Sequence, residues 1–352
     1  MSGIWVLGGT GRTGRVIAEE LLARGLSPVL VGRDQARLDE LAEKLGARTR
    51  VVVSASAVPA AVAEERPAVV VNTIGPFTGT ALPIARACLR GTHYLDLSNE
   101  LTAVTGVLDL HEEAVAAGSC LVPGAGFGVL GTESVVLRLC AGQPAPERVR
   151  VDAVASVAME EGIFGEALAA SLLDGLTGGS RRYAGGRLVR ARLGSGFERL
   201  TLPDGTTVGT TAWPSGELEV ARRVSGAPDV VAATGAMPSG RLVRALLPGV
   251  AALVSVPPLR RALKRRLAAM RVKARPAPRE FTWAHARAWW PDGSTREGWL
   301  RAGEGMAFTA AVAAEVAARL ARGEGRPGAR TPGAMFGPEL AEAAGGRFVP
   351  GA

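Results

Sequence analysis

The twelve residues VLGGTGRTGRVI, positions 6–17, restrict the fold of this chain more than any other stretch. Ile4 to Leu7 are uniformly apolar, as a buried parallel strand requires. Gly8, Gly11 and Gly14 follow at three-residue spacing, and Val16, Ile17, Leu21 and Leu22 then recur at helical spacing. Strand, glycine turn and helix in that order predict a dinucleotide-binding unit. The first glycine permits the tight turn, the second lets a pyrophosphate approach the backbone, and the third lets helix pack on strand. The helix start adds unpaired N–H groups and a positive dipole end. Gly8, Thr10, Gly11, Arg12, Thr13 and Gly14 are the expected phosphate-binding residues.

The rest of the N-terminal half continues the pattern. Strands are expected at 4–7, 28–32, 50–54, 68–73, 94–97 and 120–122, with helices at 12–24, 34–45, 58–65, 80–90 and 101–117. This alternation predicts an α/β fold with a doubly wound parallel Rossmann sheet, its ligands outside the carboxyl ends of the strands. AGQPAPE, residues 141–147, reads as a crossing into a second domain. Beyond it, RVRVDAVASVA, RLVRARLG, FERLTLP and TTVGTTAWP are short alternating strands, and EFTWAHARAWW–PDG–STREGWLRAGE reads as a hairpin. The expected organisation is a Rossmann domain at 1–146, an α+β, mostly antiparallel domain at 147–304, and a helical segment at 305–352 returning to the first domain. The 352 residues, 47% hydrophobic and 21% charged, suit two globular domains and exclude disorder. Cys88, Cys120 and Cys140 are three, an odd number without metal-like spacing, and so read as free thiols in a reducing compartment. No signal-peptide pattern precedes Ile4, and the most apolar later stretch is interrupted by Pro248, Pro257 and Pro258. A cytoplasmic protein without a transmembrane segment is expected.

The end of the second strand selects the cofactor. An acid there would bind a ribose 2′-hydroxyl, whereas an arginine accommodates a 2′-phosphate. Arg33 stands in that place, nineteen residues beyond Gly14, and Asp34 after it reads as a helix cap. NADPH is the expected cofactor. A Tyr-x-x-x-Lys proton-transfer pair is ruled out: Ser98 lies four residues after Tyr94 and Arg187 four after Tyr183.

VNTIGPFTG, ARACLRGTHYLDLSNE and VPGAGFG occur in that order, and the chain ends RPGARTPGAMFGPELAEAAGGRF. In these segments the sequence resembles the saccharopine dehydrogenase-like NAD(P)-binding oxidoreductases, well over residues 1–140 and 305–348 and only in texture between them. The resemblance implies that Gly8, Gly11 and Gly14 hold the pyrophosphate and that Asn72, Thr73, Gly75 and Pro76 line the nicotinamide end. The residues themselves agree with that placement, since Gly75-Pro76 leaves the sheet at the carboxyl end of a strand. Tyr94, Asp96 and Glu100 fall at or just beyond the end of the fifth strand. A carboxylate there either orients substrate, gives a proton if burial raises its pKa, or anchors the turn. Tyr94, Asp96 and Glu100 are the candidate catalytic residues. His93, His111 and His285 are scattered and predict no metal site; His285 reads as a satisfied sheet residue and the late tryptophans as core.

The family's reactions range over imine reduction and enoyl reduction by stand-alone enzymes serving polyketide synthases. The expected activity is therefore an NADPH-dependent reductase acting on a polarised double bond of a small-molecule substrate, an imine first. An enoyl group on a carrier or coenzyme A thioester stands second, and a non-catalytic NADPH sensor is the rival from another class. One further feature concerns partners. Residues 259–279 carry nine positive side chains and no acid, while the whole chain is +8, so the remainder nets −1. Leu259, Leu263, Leu267 and Met270 recur at helical spacing within it. The stretch reads as a basic amphipathic helix suited to an anionic membrane surface or an acidic acyl carrier protein, or as a solvated surface helix. Nucleic acid is not expected, because no recognisable module or interleaved aromatics accompany the charge. Assembly as a homodimer stays open.

Overall fold

The structure, a computed structural model, describes residues 3–52, 54–163, 166–236 and 240–351. The chain forms two compact units, Met1–Leu130 with Met306–Gly345, and Gly131–Gly305 with Gly346–Ala352. The division falls at Leu130, inside the helix Phe127–Cys140, rather than at the proline-bearing loop near 146. The last residues belong to the second unit because Arg347–Pro350 adds a strand to its sheet.

The first unit is built on β1 (Ile4–Leu7), β2 (Pro28–Gly32), β3 (Arg48–Val51), β4 (Val69–Asn72), β5 (His93–Asp96) and β6 (Cys120–Val122). Their order is β6-β5-β4-β1-β2-β3, all parallel, with the short strand Gly328–Ala329 added beyond β6. The chain runs outward from β1 in one direction and then restarts on its other side at β4. The gap between the carboxyl ends of β1 and β4 is thus the topological switch point at which such sheets bind ligands. Both faces of the sheet are covered, and accordingly Val6, Leu7, Val69, Val70, Val71, Leu95 and Leu121 are fully buried.

Helices α1 (Arg12–Ala23), α2 (Gln35–Leu45), α3 (Val58–Glu65), α4 (Phe77–Ala87), α5 (Leu101–Leu108) and α6 (His111–Ala116) connect or follow the strands. Two differ from expectation. The single helix expected at 101–117 is broken between α5 and α6, where the Leu110 side chain turns into the core. The helix expected from residue 80 begins at Phe77 and contains Pro83. The amide that Pro83 lacks would have paired with the carbonyl of Gly79, which lies on the exposed side.

The second unit is a nine-stranded sheet. Its main path runs Arg187–Ala191, Ser180–Ala184, Asp229–Thr234, β7 (Arg148–Val154), Thr282–Trp289, Thr295–Ala302 and Arg347–Pro350, and Glu198–Thr201 with Thr207–Ala212 forms a hairpin joined to Asp229–Thr234. All pairings are antiparallel except β7 with Asp229–Thr234, which is parallel. This is the α+β, mostly antiparallel arrangement expected from the alternating patterns. Of the late tryptophans, Trp283, Trp290 and Trp299 are core and Trp289 is half-buried; Trp283 and Trp299 meet edge to face at 6.2 Å, packed with Val154, Leu200 and Leu202. Among the described residues no single helix is long and apolar enough to cross a membrane.

Candidate functional site

The glycine turn at the switch point has the construction its spacing predicts. Gly8 adopts φ +73°, a conformation that L side chains avoid, and a Cβ there would also come within 2.7 Å of Thr73 Oγ1. A Cβ on Gly14 would overlap the carbonyl of Gly8, so only glycine lets α1 sit this close to the end of β1. The turn is closed by Gly11 N–H donating to Gly8 O at 2.8 Å and Gly9 N–H to Val31 O at 3.0 Å. Gly11 caps α1 without a side chain, and no acid stands in the first turn. The first-turn amides are therefore not met by a local carboxylate, and an anion there meets the positive end of the helix. Thr10, Arg12 and Thr13 are half-buried around this cradle, and Thr13 Oγ1 donates to Met306 Sδ at 3.4 Å. The cradle that a Cβ would fill is the observation that fits a dinucleotide to these residues.

Arg33 is exposed directly after β2, the strand beside β1. Asp34 serves as the cap of α2, its Oδ1 accepting from Arg37 N–H at 3.2 Å. The position that would decide for a 2′-hydroxyl thus presents a guanidinium, and Arg37 in the first turn of α2 adds a second exposed cation to the same corner.

At the end of β4, Thr73 reaches across to β1, its Oγ1 donating to Leu7 O at 2.7 Å. Asn72 is fully buried and uses both ends of its amide: Oδ1 accepts from Ile74 N–H at 3.0 Å, and Nδ2 donates to Tyr94 Oη at 3.2 Å. Asn72 therefore shapes the turn from beneath, whereas Thr73, Gly75 and Pro76 are half-buried and form its surface. The Gly75-Pro76 bond is cis.

Tyr94 and Asp96 stand where they were expected along the chain, but enclosed. Both are fully buried. Asp96 Oδ1 accepts from Ser98 Oγ at 2.6 Å, Ser98 N–H at 2.8 Å and Gly124 N–H at 2.9 Å, and Oδ2 accepts from Tyr94 Oη at 2.7 Å. The backbone carbonyl of Asp96 accepts from Ala125 N–H at 2.7 Å. Burial raises the Asp96 pKa above the ordinary carboxylate range, with the Ser98 and Gly124 hydrogen bonds opposing it. Burial likewise raises Tyr94, helped by the Asp96 charge. In this arrangement Asp96 ties β5 to the loop after β6, so the geometry assigns it the anchoring role among those open to it, with Tyr94 and Asn72 as its supports. Glu100 is the less enclosed of the two carboxyl groups. It is half-buried at the start of α5, its carbonyl accepting from Val104 N–H at 3.1 Å and its Oε2 from Asn99 N–H at 3.2 Å.

The second unit contains a charged cluster that sequence reasoning reduced to a satisfied histidine. His285 is fully buried, with Nδ1 2.9 Å from Asp152 Oδ2 and Nε2 2.9 Å from Glu297 Oε1. Arg150 clasps Asp152 through Nη2 at 2.8 Å and Nε at 3.1 Å, Thr210 Oγ1 donates to it at 2.6 Å, and Arg287 Nε meets Glu297 Oε2 at 2.9 Å. Burial opposes charge on both His285 and Asp152, but the mutual contacts prevail: Asp152 is held at about 2 and His285 is raised. Glu297, mainly through its His285 hydrogen bond, is also held at about 2. The available signal was R-x-D, H-x-R and E-x-W on three strands, alternate residues that share one face.

The strand order, the glycine cradle and the cation after β2 define the first unit as a Rossmann domain of the NADP-binding kind. The family model of the saccharopine dehydrogenase NADP binding domain matches residues 4–122, so this part of the chain is similar to the NADP-binding domain of that family. The chain is similar to a trans-acting enoyl reductase of Mycobacterium ulcerans, 34% identical over 133 residues, which is 35% of this chain and 32% of that protein. It is also similar to a trans-acting enoyl reductase of Mycobacterium leprae, 32% identical over 145 residues, 39% of this chain and 35% of the relative. The matched segment thus spans about a third of the length of these curated relatives. Among solved structures, apo saccharopine dehydrogenase (L-Glu forming) from Saccharomyces cerevisiae superposes with a TM-score of 0.61 at 13% identity, covering all of both chains, and shares the fold.

Proposed function

We propose that this chain is an NADPH-dependent reductase whose substrate is a conjugated enoyl thioester, so that the carbon–carbon double bond is reduced. One observation ranks this above the imine expected first. The imine reading called for a carboxylate such as Asp96 or Glu100 to stabilise iminium charge, and Asp96 is fully buried with both oxygens engaged by Ser98, Gly124 and Tyr94. The names carried by the mycobacterial relatives favour the same reaction.

When bound, NADPH supplies the hydride, which the β-carbon accepts while the α-carbon takes a proton. Gly8, Gly11 and Gly14 hold the pyrophosphate against the start of α1, and Thr10, Arg12 and Thr13 flank it. Arg33 takes the 2′-phosphate. Thr73, Gly75 and Pro76 present the backbone on which the nicotinamide end rests, at a position that Asn72, Tyr94 and Asp96 stiffen from below. Glu100 is the side chain through which a proton reaches the α-carbon. A small-molecule thioester, or the same thioester on an acyl carrier protein, is the substrate form, and a homodimer is compatible with it.

The test is NADPH consumption with three additions: a crotonyl thioester, a cyclic imino acid, and buffer alone. Turnover with the thioester and not with the imino acid is expected. Turnover with the imino acid alone would return the imine to first place. NADPH binding without turnover on either would point to the non-catalytic sensor.

A further inference from the structure

Between Asp229 and Glu280 the chain contains eleven Lys and Arg residues and no acid at all. The structure folds the middle of this stretch into two helices, Arg241–Val254 and Pro257–Ala268, bent by 100° where they join. Both pack with the helix Glu166–Thr177. Their outward face is unusual for a protein surface. Val243, Leu246, Val250 and Leu253, spaced by three, four and three residues, are 41%, 67%, 45% and 60% exposed. Leu247 and Val254 of the same helix are buried, so the helix is seated on the unit and still shows an aliphatic stripe to the outside. Val256, Leu259 and Met270 continue the exposed apolar surface. Alongside stand Arg261, Arg265, Arg266, Arg271, Lys273 and Arg275, all exposed.

We infer that this helix pair is a docking face for an anionic lipid bilayer, lying in the headgroup region without crossing it. The stripe is aliphatic, with no aromatic residue between Trp213 and Phe281. A bilayer accepts such side chains at the boundary of its acyl chains while Lys and Arg reach the headgroups on flexible stems. An acidic carrier protein would satisfy the cations but offers no apolar phase for four outward Leu and Val side chains. Without Trp or Phe to anchor it, the aliphatic stripe holds weakly by itself, and surface attraction of the cations supplies the rest. The face therefore needs both partners of the interaction, apolar insertion and negative charge. This inference does not depend on which double bond the first unit reduces.

The test is flotation of the full chain with vesicles of phosphatidylcholine, and of phosphatidylcholine mixed with phosphatidylglycerol, at low and high salt. The wild type should float only with the mixed vesicles and should be released by salt. Replacing Arg261, Arg265 and Arg266 with Gln should cut binding by at least about tenfold. Leu246→Ser with Leu253→Ser should do the same, while NADPH titration and circular dichroism report an intact fold in both variants. Failure of the wild type to float with mixed vesicles at low salt overturns the inference. So does a Leu246/Leu253 variant that binds normally, which would reduce the face to charge alone, or capture of a purified acyl carrier protein in place of vesicles.

Discussion

Asp152 and His285 lie directly opposite each other on antiparallel neighbours, Oδ2 to Nδ1 2.9 Å, and neither has any contact with solvent. Both imidazole nitrogens face a carboxylate, Asp152 on one side and Glu297 on the other, so the ring bonds both only as the cation. The remaining charged groups facing the ring's partners are Arg150 on Asp152, Arg287 on Glu297, and Glu198, 3.2 Å from Arg150 and 3.7 Å from Arg287. With His285 protonated these six groups are three cations and three anions. Trp299 covers the ring at a centroid separation of 4.2 Å.

A pH dependence of stability follows. The His285 pKa is raised above its ordinary value, so its contribution is complete below about pH 6.5 and is lost as pH rises through the folded-state value. Asp152 and Glu297 have lowered values, so their contributions are present above about pH 4.5 and are lost as pH falls toward about 2. Urea midpoints of the second unit's transition should therefore be highest near pH 5–6 and decline on the alkaline side. His285→Gln should lose that alkaline decline and about 3–5 kcal/mol, because it strands two carboxylates of which one is wholly buried. A midpoint flat from pH 6 to pH 9 in the wild type would contradict the charged ring.

The contrast between the two units shows what a single sequence makes legible. In the first, β1, the glycine turn and α1 are local, and the three glycines that shape the cradle lie within positions 4–17; their roles follow from spacing and backbone conformation. Arg33 is equally local to its strand. The fate of Asp96 is not, because it depends on Gly124 and Ser98 arriving from a loop and a turn whose positions only the folded sheet fixes. The cluster around His285 is further removed still. Its members come from residues 150 to 297, and no pattern within one strand states that Asp152 and Glu297 flank one ring. Register, which is a tertiary property, made the difference.

Asp96 should behave as an anchor. Asp96→Asn replaces an oxygen that accepts from neighbours with an amide that donates, leaving Tyr94, Ser98 or Gly124 without an acceptor. A loss of about 1–3 kcal/mol is expected, read as a lower denaturation midpoint. Tyr94→Phe removes one donor to Asp96 and one acceptor for Asn72, and should cost about 1 kcal/mol or somewhat more. Unchanged midpoints with a selective loss of turnover would restore both residues to direct contact with substrate.

The cradle and the cation beside it separate cofactor binding from cofactor choice. Gly14→Ala should weaken NADPH and NADH alike, since the added Cβ overlaps the Gly8 carbonyl and displaces α1 from the phosphates. Arg33→Ala should weaken NADPH alone, by roughly one to two orders of magnitude, the ~1.5–3 kcal/mol of a charge-assisted hydrogen bond. Fluorescence titration of both cofactors on both variants checks this. An equal loss for the two cofactors in Arg33→Ala would remove Arg33 from the 2′-phosphate.

Glu100 is the residue proposed to act on substrate. Unlike Tyr94 and Asp96 it is only half-buried, and it opens α5 directly after the strand end where the nicotinamide would rest. A carboxyl group there can pass a proton to the α-carbon, whereas the fully enclosed pair beneath it has no path to a substrate. Glu100→Gln keeps the size and the acceptor oxygen but removes the exchangeable acid. Turnover with an enoyl thioester should fall about a hundredfold, the usual contribution of a positioned general acid, while the NADPH dissociation constant stays within about twofold. The comparison is decisive with a solvent readout added: a solvent deuterium isotope effect on kcat that changes in Glu100→Gln marks a proton donor, and one that is unchanged at reduced turnover would assign the proton to water and Glu100 to the loop.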